Sequence, residues 1–109
     1  MRRRRRTVQP EPKGEMLLRR AWRHRRRGED RRAMLVLKEA CCQESSSPRL
    51  WTLYAAQCVR AGRRDEAEHA LKQALWLRRR DRDDARVRVM TALLGQLAGG
   101  QDSFRVQAA

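Results

Sequence analysis

The side chains of this chain that could perform chemistry are two histidines and three cysteines. A thiol beside an imidazole can act as nucleophile and base, and sulfur with nitrogen ligands can bind zinc. They are His24, His69, Cys41, Cys42 and Cys58. Cys41 and Cys42 are adjacent, so on a helix they point about 100 degrees apart and do not fit one tetrahedral site. We therefore expect no metal, no cofactor and no catalytic residue, with the cysteines acting as small buried apolar residues.

An internal repeat with a period of 34 residues organises the rest of the chain. The identities pair Ala55, Arg60, Gly62, Ala67, Leu71, Lys72 and Ala74 with Ala21, Arg26, Gly28, Ala33, Leu37, Lys38 and Ala40. A repeat of this length, with a glycine between two helical patterns, is typical of stacked helical hairpins. In the same frame Cys58 aligns with His24, so we expect both to fill one structural position rather than to form a catalytic pair.

The stretch from Arg49 to Leu75 resembles a tetratricopeptide repeat, and Leu17 to Ala40 resembles a weaker copy. The resemblance is carried by Trp51, Tyr54, Ala55, Cys58, Gly62, Ala67, Leu71 and Ala74. It covers residues 14–98 and implies an all-α fold, a short right-handed solenoid of about two and a half helical hairpins. Such repeats are scaffolds for many partners, so the resemblance implies binding rather than catalysis.

The repeat frame predicts five segments and five helices. The segments are a disordered basic arm over 1–13, repeats over 14–47 and 48–81, a capping helix or degenerate third repeat over 82–98, and a tail over 99–109. The helices are expected over 15–27, 29–42, 48–61, 64–80 and 83–97. Gly28 and Gly62 should supply the left-handed backbone that ends a helix, and Ser47 before Pro48 should be an N-cap.

Two features of the second half stay open at this stage. A shift of 34 residues places Gln96 at the position of Gly62, whereas a shift of 37 places Gly99 there. Trp76 lies half a turn from the apolar stripe of its helix, and we favour packing beneath the next helix over exposure. Because an uncapped repeat end is apolar, self-association through the C-terminal half repeat is also expected.

The charge of the chain is concentrated at its beginning. The formal net charge is +14, and residues 1–28 alone carry +10. Arginine greatly outnumbers lysine, which the codon bias of a GC-rich genome explains as well as selection for binding does. The odd number of cysteines and the arginine run without a following apolar stretch predict a cytoplasmic protein, and no segment is apolar enough to span a membrane.

The resemblance implies that the first helix of each repeat lines a concave groove. In this sequence the corresponding partner-binding residues are Leu18, Arg19, Trp22, Arg25, Arg26, Arg49, Leu53 and Arg60. An apolar floor edged with guanidinium groups fits an amphipathic or acidic segment of another protein, because arginine pairs with carboxylates in a bidentate manner. The protein is then an adaptor, assembly factor or small chaperone. Core contact with a neighbouring helix remains the alternative for Trp22 and Leu53.

The alternative function is association with nucleic acid. The basic residues available for it are Arg2, Arg3, Arg4, Arg5 and Arg6 in the arm, with Arg20, Arg23 and Arg27 in the first helix. Phosphate contacts would release counterions and make binding steeply dependent on salt. A simple solvated tail is the other interpretation of the arm.

Overall fold

The computed structural model describes residues 13–100, and within them the chain forms five α-helices and no β-strand. The helices are α1 (Lys13–Arg26), α2 (Asp30–Gln43), α3 (Pro48–Arg60), α4 (Arg64–Arg80) and α5 (Asp84–Ala98). The main contacts join consecutive helices, from α1 with α2 to α4 with α5. The predicted all-α fold is confirmed, and each helix end lies within two residues of its predicted place. The arm Arg2–Arg6 and most of the tail lie outside the described residues.

Small side chains allow these helices to pack closely, as the repeat pattern predicts. The fully buried alanines are Ala21, Ala33, Ala40, Ala55, Ala67, Ala70 and Ala74. Leu37 and Leu71, which occupy equivalent positions in the repeat, are also fully buried. A helix that presents alanine lets the backbone of its neighbour approach, so the large residues fill the remaining space of the core.

The local signals at helix ends act as expected. The Ser47 side chain accepts a hydrogen bond from the backbone N–H of Leu50 (3.2 Å), and Pro48 follows it at the first helical position. Acidic residues occupy the first turn of α4 and three arginines occupy its last turn, which complements the helix dipole. At the other end of the molecule, the backbone N–H of Gly14 donates to Glu44 (3.1 Å) and ties the start of α1 to the end of α2.

Three of the connections between helices are the same three-residue turn. Their middle residues are Gly28, Gly62 and Arg82, with φ of 77°, 76° and 56°. In each turn the next backbone N–H donates to a carbonyl in the last turn of the preceding helix, at His24 (2.9 Å), Cys58 (2.8 Å) and Arg78 (2.9 Å). His24 and Cys58 therefore occupy equivalent positions as predicted, and the structure adds Arg78 to the set.

Gly62→Ala is expected to destabilise the protein through its backbone alone. A Cβ at this position would meet no atom within 4 Å, so the cost is that of placing alanine at φ 76°. We expect a loss of about 1 kcal/mol and a fall in Tm of about 4–8 °C. Arg82→Ala is the matched control, because Arg82 already pays for a positive φ, and its Tm should change little in the same thermal unfolding experiment. Equal melting of the Gly62→Ala variant and the wild type would contradict this account.

The structure corrects two expectations for the second half. The side chain of Trp76 is 60% exposed, so the prediction that it packs beneath the next helix is wrong. α5 instead packs against the side of α4 that carries Ala70, Ala74 and Leu77. Neither proposed register fits the end of α5, since Gln96 is helical, Gly99 has a φ of −80°, and the left-handed residue is Gly100.

Candidate binding surface

The histidines and cysteines are placed in separate environments. His24 Nδ1 lies 2.7 Å from a carboxylate oxygen of Glu29, and this hydrogen bond holds the pKa of Glu29 below its usual value. Cys41 and Cys58 are buried, and loss of hydration raises the pKa of each thiol to about 12. Among residues 13–100 no three potential ligands form a group that could hold a metal ion. The expectation of buried cysteines is wrong for Cys42, which is exposed because it lies on the outer side of α2.

The thiols should therefore differ sharply in reactivity. With an aromatic disulfide reagent near neutral pH, we expect one thiol to react rapidly and two to react only on unfolding. The reason is that Cys42 is exposed, whereas burial keeps Cys41 and Cys58 protonated at that pH. Absorbance of the released product counts the thiols. Cys42→Ser should abolish the rapid phase, and two or three rapid thiols in the folded wild type would contradict the burial seen here.

Two residues of the predicted groove lie in the core instead. Leu18 and Leu53 are only 4% and 8% exposed, so the expectation that they form an open apolar floor is wrong. Leu53 belongs to the same core cluster as Met90 of α5. Beside it, the Thr52 hydroxyl lies 3.4 Å from the sulfur of Met90, which shows that α5 reaches this side of α3. Core packing accounts for both leucines.

The two arginines of α3 assigned to the groove pair within the chain. Arg49 lies 3.5 Å from Glu15 of α1, and Arg60 lies 3.3 Å from Asp30 of α2. Asp30 also accepts hydrogen bonds from the buried amide of Gln57, at its backbone oxygen (2.9 Å) and its carboxylate (3.3 Å). These contacts join the second hairpin to the first, so Arg49 and Arg60 have a structural role that the sequence analysis missed.

The remaining candidates gather on α1. Five arginines lie on its outer side and are exposed; we call this surface the arginine face, and its members are Arg19, Arg20, Arg23, Arg26 and Arg27. Their spacing of three, four and seven residues places them along one side of a helix of 3.6 residues per turn. Within residues 13–100, Arg20, Arg23, Arg26 and Arg27 form no salt bridge, and Glu15, the acidic residue of α1, pairs with Arg49.

Trp22 lies at the edge of the arginine face. Its side chain is half-buried and packs against the core cluster, while the Arg25 guanidinium lies 5.3 Å from the centre of its ring. This is cation–π distance, so one side of the indole is already covered. The structure therefore brings together Arg19, Trp22, Arg25 and Arg26 of the predicted groove with Arg20, Arg23 and Arg27 of the predicted nucleic-acid surface.

The sequence analysis missed a concave site on another side of the molecule. It has a volume of about 380 Å³ and we call it the lateral pocket; it is lined by Lys38, Cys42, Trp51, Tyr54, Asp65, Glu66 and His69. Three helices contribute to it, and their lining residues are far apart in the sequence. The only signal available was that Trp51 and Tyr54 lie one turn apart and exceed what the core of a small domain needs.

Comparison of the chain with models of protein families, with curated proteins and with solved structures finds no match. Within the described residues no helix is long and apolar enough to cross a membrane. The function must therefore be argued from the surface chemistry of the molecule.

Proposed function

We propose that this chain is a short helical-repeat binding module of the tetratricopeptide type, acting in the cytoplasm as an adaptor, assembly factor or small chaperone and performing no reaction itself. The consecutive packing of α1 to α5 supports this architecture. So does the recurrence of the same turn at Gly28 and Gly62, which are 34 residues apart. Modules of this kind bind through surfaces on their outer helices.

The partner is an acidic, amphipathic segment of another protein, and it binds along the arginine face with Trp22 as its apolar anchor. The observation that carries this proposal is that Arg20, Arg23 and Arg26 are exposed and form no salt bridge within residues 13–100. Like charges three or four residues apart on a helix repel each other. Carboxylates would relieve that repulsion and accept bidentate hydrogen bonds from the guanidinium groups.

Nucleic acid is the second candidate partner. It is favoured by the continuity of the arginine face along α1, since a row of cations can follow a phosphate backbone. Single-stranded nucleic acids also need aromatic surfaces on which bases stack. Trp22, the aromatic residue beside this face, is already covered by Arg25 on one side. The acidic protein segment is therefore the better match.

Direct binding separates the two candidates. The first probe is a labelled helical peptide with glutamates along one side and a single apolar stripe, and the second is a duplex DNA of the same charge. We expect the peptide to bind with an affinity that falls modestly with salt and is weakened by Trp22→Ala. DNA binding should collapse between about 50 and 200 mM salt. Tighter binding of DNA at the higher salt, with no effect of Trp22→Ala, would establish the nucleic-acid function instead.

A further inference from the structure

The lateral pocket is suited to an aromatic side chain. The rings of Trp51 and Tyr54 meet edge to face, with their centres 6.2 Å apart. Their polar atoms are engaged inside the chain, because the Trp51 indole N–H donates to the carbonyl of Ser45 (2.9 Å) and the Tyr54 hydroxyl donates to Glu66 (3.3 Å). The carbon surface of both rings is thus left to contact a ligand, while carboxylates stand at the rim.

An aromatic side chain without a partner lies on the same face of α4 as this pocket. Trp76 is 60% exposed, and it follows His69 by seven residues and Asp65 by eleven. At 3.6 residues per turn these three residues point within about 20 degrees of one another. Trp76 is about 10 Å farther along the helix than His69, and it does not line the pocket of its own chain.

The charges on α4 change sign along its length. Asp65 and Glu66 lie in its first turn, and Arg79 and Arg80 lie in its last turn. If two α4 helices run antiparallel with Trp76 opposite His69 of the second copy, Asp65 falls opposite Arg80 and Glu66 falls opposite Arg79. A two-fold axis near Lys72 and Gln73 produces both sets of pairs at once. The occupant that fits both the charges and the pocket is therefore a second copy of this chain.

We propose that two copies associate about a two-fold axis through their α4 helices, with Trp76 of each copy inserted into the lateral pocket of the other. This interface leaves the arginine face of α1 open for a different partner. It is also distinct from self-association through the C-terminal half repeat, which stays a prediction. Because each copy carries a formal charge of +14, association requires enough salt to screen the overall repulsion.

Sedimentation equilibrium at near-physiological salt tests the proposal. We expect the wild type to form a dimer as its concentration rises, and Trp76→Ala to raise the dimer dissociation constant about thirtyfold or more, since a buried tryptophan is the usual anchor of an interface. Trp22→Ala is the matched control, because it removes the other tryptophan that carries a stacked arginine, and it should dimerise as the wild type does. Circular dichroism confirms that each variant is helical.

A charge exchange tests the register of the two helices. Asp65→Arg and Arg80→Asp should each weaken the dimer, and the double substitution should restore it, because these residues face each other across the axis. A wild type that stays monomeric over the whole concentration range would overturn the proposal and leave the pocket to another ligand. Unchanged dimerisation of Trp76→Ala would also overturn it, and so would a double variant no better than the single ones.

Discussion

Replacing Arg20, Arg23 and Arg26 with Gln is expected to weaken binding of the acidic helical peptide about tenfold to a hundredfold. Each arginine is exposed, so each ion pair with the peptide contributes only a modest free energy, and the effect comes from removing three of them together. Glutamine keeps a comparable helix propensity, so α1 should remain folded. Fluorescence anisotropy of the labelled peptide measures the change at a fixed salt concentration.

A matched variant separates the arginine face from the general charge of the protein. Arg31, Arg79 and Arg88 are also exposed and form no salt bridge in the part of the chain that the structure describes. Changing these three to Gln removes the same net charge from other helices. Their affinity for the peptide should stay within about threefold of the wild type, because only long-range attraction is lost. Equal losses in the two triple variants would mean that the peptide responds to net charge and not to the arginine face.

Leu71→Ala is expected to remove about 2–5 kcal/mol from the free energy of unfolding. Leu71 is fully buried in α4, between α3 and α5, so its truncation loses apolar contacts and leaves a cavity. A domain of this size is marginally stable, and the loss should lower Tm by about 10 °C or more. Thermal unfolding followed by circular dichroism gives the value.

The control for this core variant is Leu35→Ala, which makes the same chemical change at a leucine that is 47% exposed on α2. We expect it to alter the free energy of unfolding by no more than about 0.5 kcal/mol. If the two leucine variants melted at the same temperature, the assignment of Leu71 to the core would be wrong.

The helices and their packing sides were predictable because the signals for them are local or periodic. Gly62 ends α3 where its left-handed backbone is required, and Ser47 begins the same helix through a single hydrogen bond. Ala55, Ala67 and Ala74 recur at positions where only a small residue lets two helices approach, and all three are fully buried. The 34-residue period repeats these requirements, so one hairpin predicts the other.

The candidate site was harder to predict because its details depend on contacts between hairpins. Glu15 and Asp30 were explained by helix dipoles and capping, so their pairing with Arg49 and Arg60 was not expected. Leu53 is buried by α5, whose register the sequence left open.

The same limit applies to Trp76 and the lateral pocket. A residue half a turn from the apolar stripe is buried or exposed according to where the next helix lies, and the sequence does not specify that position. The pocket forms where α2, α3 and α4 meet, so no single stretch of sequence carries its pattern. The arginine face, by contrast, is visible in the sequence as a spacing along one helix, and the structure adds which of its members lack a partner.

The central claim is that the arginine face of α1 binds an acidic protein partner, and a pull-down from host lysate tests it most directly. Tagged wild type, the Arg20/Arg23/Arg26→Gln variant and the Arg31/Arg79/Arg88→Gln control are compared with and without nuclease, and mass spectrometry identifies the bound proteins. We predict an acidic protein that is retained by the wild type and the control after nuclease treatment and is lost by the α1 variant. Loss of every bound protein on nuclease treatment, or equal retention by both triple variants, would contradict the claim.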